Sequence, residues 1–220
     1  PDSSYAVVLL QPEIRRLPIG PVTVALRTNA LPWPLPEVAE FVMTDAYSVK
    51  GLSVRNRQPG FGAPLIATMV RPPGGRPPPR TAVTVLLRVE GGLKDWSVSG
   101  LNGFLEAYPG AMNTRIEVAG RTVPLQTDVT APLALSLNDP AWWKLGRRQF
   151  FSSREIVKSD IYRPQIYQPG AVPVVFVHGT LSSPVCWAEM WNVLASDPVL
   201  SQRCQFWAFV YNTGNPVVWS

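Results

Sequence analysis

Short apolar blocks separated by Pro or Gly run through the first 140 residues, and most are rich in Val, Leu and Thr. Such punctuation predicts a β-rich unit, because β-branched side chains pack well on a pleated surface while Pro and Gly end the ladder. The expected strands are 4–10, 21–28, 47–56, 63–70, 81–89, 103–108, 115–118 and 122–126. The last two flank Ala119-Gly120, whose Gly accepts a positive φ, so a tight hairpin is expected there. Thr81 to Val89 reads TAVTVLLRV, nearly continuous in apolar and β-branched residues, which predicts a central strand covered on both faces.

Past Ser136 the pattern changes. Trp142-Trp143, Arg147-Arg148 and Phe150-Phe151 precede a stretch rich in Tyr and Pro, read as a connection over 141–171 between a first unit, 1–140, and a second, 172–220. Val172 to Val177 is a continuous apolar run of strand length. After the loop His178-Gly-Thr-Leu-Ser-Ser-Pro184 a helix is expected, with Ser183 as N-cap and Pro184 at the first helical position. Trp187, Met190, Trp191 and Leu194 then fall on one face. Gln205 to Tyr211 follows as a second strand, which completes one right-handed βαβ unit of a parallel sheet. The fold class expected is therefore mixed: a β-rich first unit followed by a partial parallel sheet. Two strands and one helix cannot cover a parallel sheet. The rest of that sheet is expected from a continuation of the polypeptide or from a second chain.

Composition narrows the chemistry. With 24 Pro and 16 Gly in 220 residues, an all-helical bundle is excluded. A 46% apolar content is enough for a real core. No apolar run approaches the roughly 20 residues of a membrane span. The net charge of +5 is mild. Arg71-Pro-Pro-Gly-Gly-Arg-Pro-Pro-Pro-Arg80 reads as a solvated loop between strands. Its three Arg residues could meet an anionic surface such as a membrane, but no aromatics interleave with them as nucleic-acid binding requires. His178 is the only histidine. Together with Cys186 and Cys204 it matches no metal-ligand spacing, so neither metal nor cofactor is expected. The two Cys read as buried thiols, with a disulfide open to them if their Cα atoms lie within about 7 Å.

Several tempting residues read more simply. Ser182 and Ser183 have no second His or nearby Lys to act as base, so helix capping is preferred. Asp128 and Asp160 are assigned surface or turn roles. Gly60-Phe-Gly62 begins a dinucleotide pattern, yet Leu65 stands where its third Gly belongs. Trp33, Trp96, Trp142 and Trp143 are expected in small β cores.

The loop leaving the first parallel strand carries the candidate chemistry, because open α/β sheets bind ligands at the C-terminal ends of their strands. Gly179 removes a Cβ from the turn, and the amide of Thr180 is thereby free to face a crevice and stabilise a developing oxyanion. Val172-Pro-Val-Val-Phe-Val-His-Gly-Thr180, with Ser182-Ser-Pro-Val-Cys-Trp187, resembles the oxyanion-strand region of bacterial α/β-hydrolases of the esterase and lipase type. Phe206-Trp-Ala-Phe-Val-Tyr-Asn-Thr-Gly-Asn-Pro216 is similar to the next strand and loop of a branch with a long N-terminal extension. Tyr167-Gln-Pro-Gly170, Gly62-Ala-Pro-Leu65 and the segment 124–133 resemble parts of that extension. The resemblance implies an enzyme of bacterial cell-envelope or secreted type, cleaving carboxylic esters or lipids. It gives Thr180 N–H as half of the oxyanion hole, Gly179 as the shaper of the turn and His178 as a structural residue. The family's nucleophile lies in Gly-x-Ser-x-Gly, and that pentapeptide does not occur in the chain. Nucleophile, acid and base must come from the remainder of the hydrolase domain, and the chain by itself is expected to be inactive. The competing expectation is a non-catalytic β-rich binding or envelope-scaffold module.

Overall fold

The computed structural model describes residues 13–17, 20–27, 31, 37–71, 77–91, 101–111, 114–141, 143, 159–163, 167–180, 182–211 and 213, with the backbone alone for 13–17, 20–22 and 101. The expected strand 4–10, Trp33, Trp96 and Trp142, and the Gly-Asn-Pro end of the 206–216 motif lie outside the described residues. What is described is a strand-rich mixed fold. A six-stranded sheet contains β1 (Glu13–Leu17), β2 (Gly20–Arg27), β3 (Val38–Met43), β5 (Ala63–Met69), β6 (Arg80–Val89) and β7 (Leu101–Pro109), in the order β1-β2-β7-β6-β5-β3. Its pairs are antiparallel except β2 with β7. A two-residue pair joins β4 (Arg57–Gln58) to β10 (Thr127–Asp128). The hairpin of β8 (Arg115–Val118) and β9 (Arg121–Pro124) turns at Ala119 and Gly120, both with positive φ (50° and 73°).

The central position of β6 follows its sequence, but its burial does not run its full length. Ala82, Val83 and Thr84 are buried, whereas Leu87 is 41% exposed. Cover on both faces holds where helix α1 (Thr130–Leu137) and β10 pack across the sheet. Leu31, Phe41, Ala67, Val83 and Ala107 form the core of this unit.

The expected strand over 47–56 is absent. A 3₁₀ turn at Thr44–Ala46 leads into irregular chain, because other partners satisfy the backbone there. The Val54 carbonyl accepts from Asn192 Nδ2 at 2.6 Å, the Asn56 amide donates to Thr130 Oγ1 at 2.8 Å, and the Ser53 amide donates to the Glu189 carboxylate. The Pro-rich segment is not wholly solvated either, since Pro77 and Pro78 are buried.

A second, three-stranded sheet contains β11 (Asp160–Tyr162), β12 (Val172–Val177) and β13 (Cys204–Val210), in the order β11-β13-β12. β12 and β13 are parallel, as the βαβ pattern requires, and β11 adds antiparallel to β13 from within the 141–171 stretch. Between β12 and β13 the chain forms a 3₁₀ turn (Pro184–Trp187), helix α2 (Ala188–Ser196) and the short α3 (Leu200–Arg203). The helix begins where Pro184 predicts, but the Ser183 hydroxyl does not cap it. Instead the Ser183 carbonyl accepts from the Cys186 amide at 3.1 Å. Met190, expected on the buried face, is 50% exposed, and Trp191 and Ala195 face the sheet.

Register divides the two faces of this sheet. Val174, Phe176, Phe206, Ala208 and Tyr162 pack with Trp191 and Ala195. Full burial of a residue such as Phe206 is worth about 1.5–3 kcal/mol. On the opposite face Val175 pairs with Trp207, and Val177 and Ile161 both lie beside Phe209. Val175, Val177 and Ile161 are 41–53% exposed. One face is therefore a packed core and the other is open apolar surface.

Candidate functional site

The turn at the C-terminal end of β12 is built around a buried imidazole. His178 is 2% exposed, and its ring stacks on Tyr211 at 4.8 Å between centroids. Tyr211 Oη in turn donates to the His178 carbonyl at 2.7 Å. The Nδ1 nitrogen sits 3.1 Å from the Gly179 carbonyl, which fixes the tautomer with the proton on Nδ1. Nε2 is buried and takes no partner among the described residues. Trp187 Nε1 donates to the Val177 carbonyl at 3.1 Å, tying the first helical turn back to the strand end. Each contact fixes where the chain leaves the sheet.

Thr180 follows as an exposed turn residue. The backbone bond across this loop runs from the Ser182 amide to the Gly179 carbonyl at 3.3 Å, and no bond among the described residues engages the Thr180 amide. Gly179 departs from expectation. Its φ lies outside the left-handed region, and a Cβ built on it meets nothing within 4 Å. The described residues therefore give no steric reason for glycine at this position.

Burial pushes the His178 imidazole below its ordinary value, partly opposed by the hydrogen bond with Gly179. The sign of the resulting pH dependence follows. Above about pH 6.5 the imidazole is neutral in both folded and unfolded chains; below it the unfolded chain takes up a proton that the folded one resists. Stability should fall as the pH drops below about 6.5 and level off once the folded imidazole protonates. With one histidine in the chain, Tm measured between about pH 7 and pH 5.5 reads this group. His178→Gln is expected to flatten the slope, and an imidazole NMR titration at the ordinary value would contradict the assignment.

The remaining candidates fall elsewhere. Asp128 is not a surface residue: it is fully buried, its Oδ2 pairs with Arg55 Nη2 at 2.7 Å, and its Oδ1 accepts from the Ala131 amide at the start of α1. Asp160 is exposed at the start of β11. Cys186 and Cys204 are free thiols, exposed and half-buried, rather than buried ones. Trp143 is 58% exposed and donates to the Leu137 carbonyl, so it is no core residue. Gly62 carries a φ of 91° in a turn.

Two features were not foreseen. The first is a buried polar network between the units. Asn192 on α2 donates to Val54 and accepts from Thr130 Oγ1 at 2.8 Å, while Asn56 Nδ2 donates to the Asn192 carbonyl at 2.8 Å. The second is a cavity of about 520 Å³ between the six-stranded sheet, α1 and α2, walled by Ala82, Leu133, Leu137, Trp191, Ala195 and Ala208. It reaches Pro184 and Val185 at the helix start but is not lined by residues 178–180. The only signals in the sequence were the apolar character of 130–137 and polar residues at helix positions that should face a core. No protein-family model, curated protein or solved structure matches the chain.

Proposed function

We propose that the chain is the N-terminal part of a serine hydrolase of the bacterial α/β-hydrolase type, acting on carboxylic esters or lipids. Its β-rich unit supports the first parallel strands of the catalytic sheet. The Thr180 amide is one of two donors for the oxyanion, and His178, locked by Tyr211 and Gly179, positions the turn that presents it. The observation that carries this reading is an exposed turn residue directly after a parallel strand, its amide engaged by no described residue and its preceding imidazole fixed in one tautomer. A donor placed in a strand-to-helix loop is what acyl transfer requires.

His178 is not the base of this chemistry. It is buried, and its Nδ1 is committed to the Gly179 carbonyl, so it cannot hand protons to a nucleophile in open solvent. The uncovered face carrying Val175, Val177 and Ile161 is where the helices of the remaining hydrolase domain would pack. A fluorophosphonate probe tests the assignment. The 220-residue chain is expected to stay unlabelled. The polypeptide that extends it through Gly-x-Ser-x-Gly is expected to label at that Ser. No labelling of the extended protein would favour the scaffold-module alternative, whereas labelling of the chain alone would place a reactive Ser within it and overturn both readings.

A further inference from the structure

The interior cavity sorts its lining by position. Its volume of about 520 Å³ falls in the range of small-molecule sites, and its middle is walled by Leu133, Leu137, Trp191 and Ala195. One end reaches Pro184 and Val185, at the helix start beyond the C-terminal end of β12. That end is apolar. At the other end stand Gln168, Ser201 and Gln202, gathered where β12 and β13 begin: α3 runs directly into β13, and the Gln168 amide and carbonyl both bond to the Gln205 side chain at 3.2 Å. The Gln168 and Gln202 side-chain amides bond to no described residue.

Charge is missing from this lining. Arg80 is the only Asp, Glu, Lys, Arg or His among the described residues that form it, and its guanidinium is withdrawn: Nε and Nη1 have no accessible surface, and Nη2 is held by Asp139 at 3.4 Å. An ionic head group would therefore lose its hydration against walls that offer no counter-charge, which is strongly unfavourable. The polar groups in the middle are also committed, since Asn192 and Asn56 serve the network between the units and the Ser136 hydroxyl donates to the Pro132 carbonyl at 2.8 Å. An uncharged hydroxyl suits the polar end, because amide and hydroxyl side chains there can replace the hydrogen bonds it makes in water. The apolar middle stabilises an aliphatic chain by burial.

We propose that this cavity binds an uncharged single-chain amphiphile, in its simplest form an aliphatic alcohol, with the chain between α1 and α2 and the hydroxyl among Gln168, Ser201 and Gln202. The site lies apart from the 178–180 turn and does not depend on the chain being part of a hydrolase.

The test is direct binding to the 220-residue chain, with ω-bromononanol as the probe, since its bromine quenches tryptophan at contact range and Trp191 stands in the wall. Saturable partial quenching is expected. Nonanol should displace the probe, whereas nonanoate and nonyltrimethylammonium, which carry the same chain on a charged head, should displace it at least about tenfold less well. Ala195→Phe, which places a ring in the cavity, should weaken probe binding at least about tenfold, and Trp191→Phe should remove most of the quenching. Val175→Lys on the uncovered sheet face should leave binding unchanged, and circular dichroism confirms that each variant is folded. Absence of saturable quenching in the wild-type chain, equal displacement by either ion, full quenching in Trp191→Phe, or loss of binding in Val175→Lys would overturn the proposal. If the cavity variants do not fold, the comparison of alcohol with ions on the wild-type chain, together with Val175→Lys, decides it.

Discussion

Replacing Asn192 with Ala is expected to destabilise the chain by roughly 3–5 kcal/mol, lowering Tm by about 10 °C or more. The side chain is 2% exposed and serves three groups: the Val54 carbonyl at 2.6 Å, Thr130 Oγ1 at 2.8 Å and Asn56 Nδ2 at 3.3 Å. Truncation leaves these groups buried with a partner missing, and each such loss costs about 1–3 kcal/mol. Because Val54 and Asn56 belong to chain with no ladder of its own, the damage should spread along residues 53–56. Val193→Ala, one position on and 42% exposed, is the control and should change stability by less than about 0.5 kcal/mol. Thermal denaturation of both variants checks the difference, and equal stabilities would show that the network is not what joins the two units.

The second large effect tests the proposed oxyanion role of Thr180, in a polypeptide that extends the chain through Gly-x-Ser-x-Gly. Thr180→Pro removes one N–H and should lower kcat on a p-nitrophenyl ester by about 10²–10³-fold, the usual cost of one oxyanion donor. Thr180→Ala retains the amide and should stay within a few-fold of wild type. KM should change little in both, since the donor acts on charge that develops only in the transition state. A Pro variant with full activity would remove Thr180 from the mechanism.

How much of this was legible depends on whether local sequence or distant partners decided the backbone. The hairpin at 119–120 was legible because a two-residue turn demands positive φ and Gly120 supplies it, even though Ala119 must adopt 50° beside it. The β12–α2–β13 unit was legible because its apolar run, Pro184 start and second apolar run are all local signals. Residues 47–56 misled because Tyr47 and Val49, and then Leu52 and Val54, stand two positions apart as in a strand, while the hydrogen bonds of Val54 and Asn56 go to side chains more than 70 positions away. Helix α1 escaped notice because TAPLALSL is nearly apolar throughout, which gives no amphipathic period to read. At the candidate site, the position of Thr180 could be anticipated from the His-Gly-Thr order, but the stacking of Tyr211 on His178 could not, because it joins the ends of two different strands.

The order β11-β13-β12 also governs how the second sheet assembles. Its middle strand is the last of the three in the chain, so the two earlier strands have no neighbour to bond until residues 204–210 arrive between them. During synthesis the segment from 160 to 203 must wait as unpaired chain while the first sheet can already close. The step that completes this sheet is an insertion rather than an addition at an edge, so a ribosome-bound intermediate stalled before residue 204 would expose both flanking strands to chaperones.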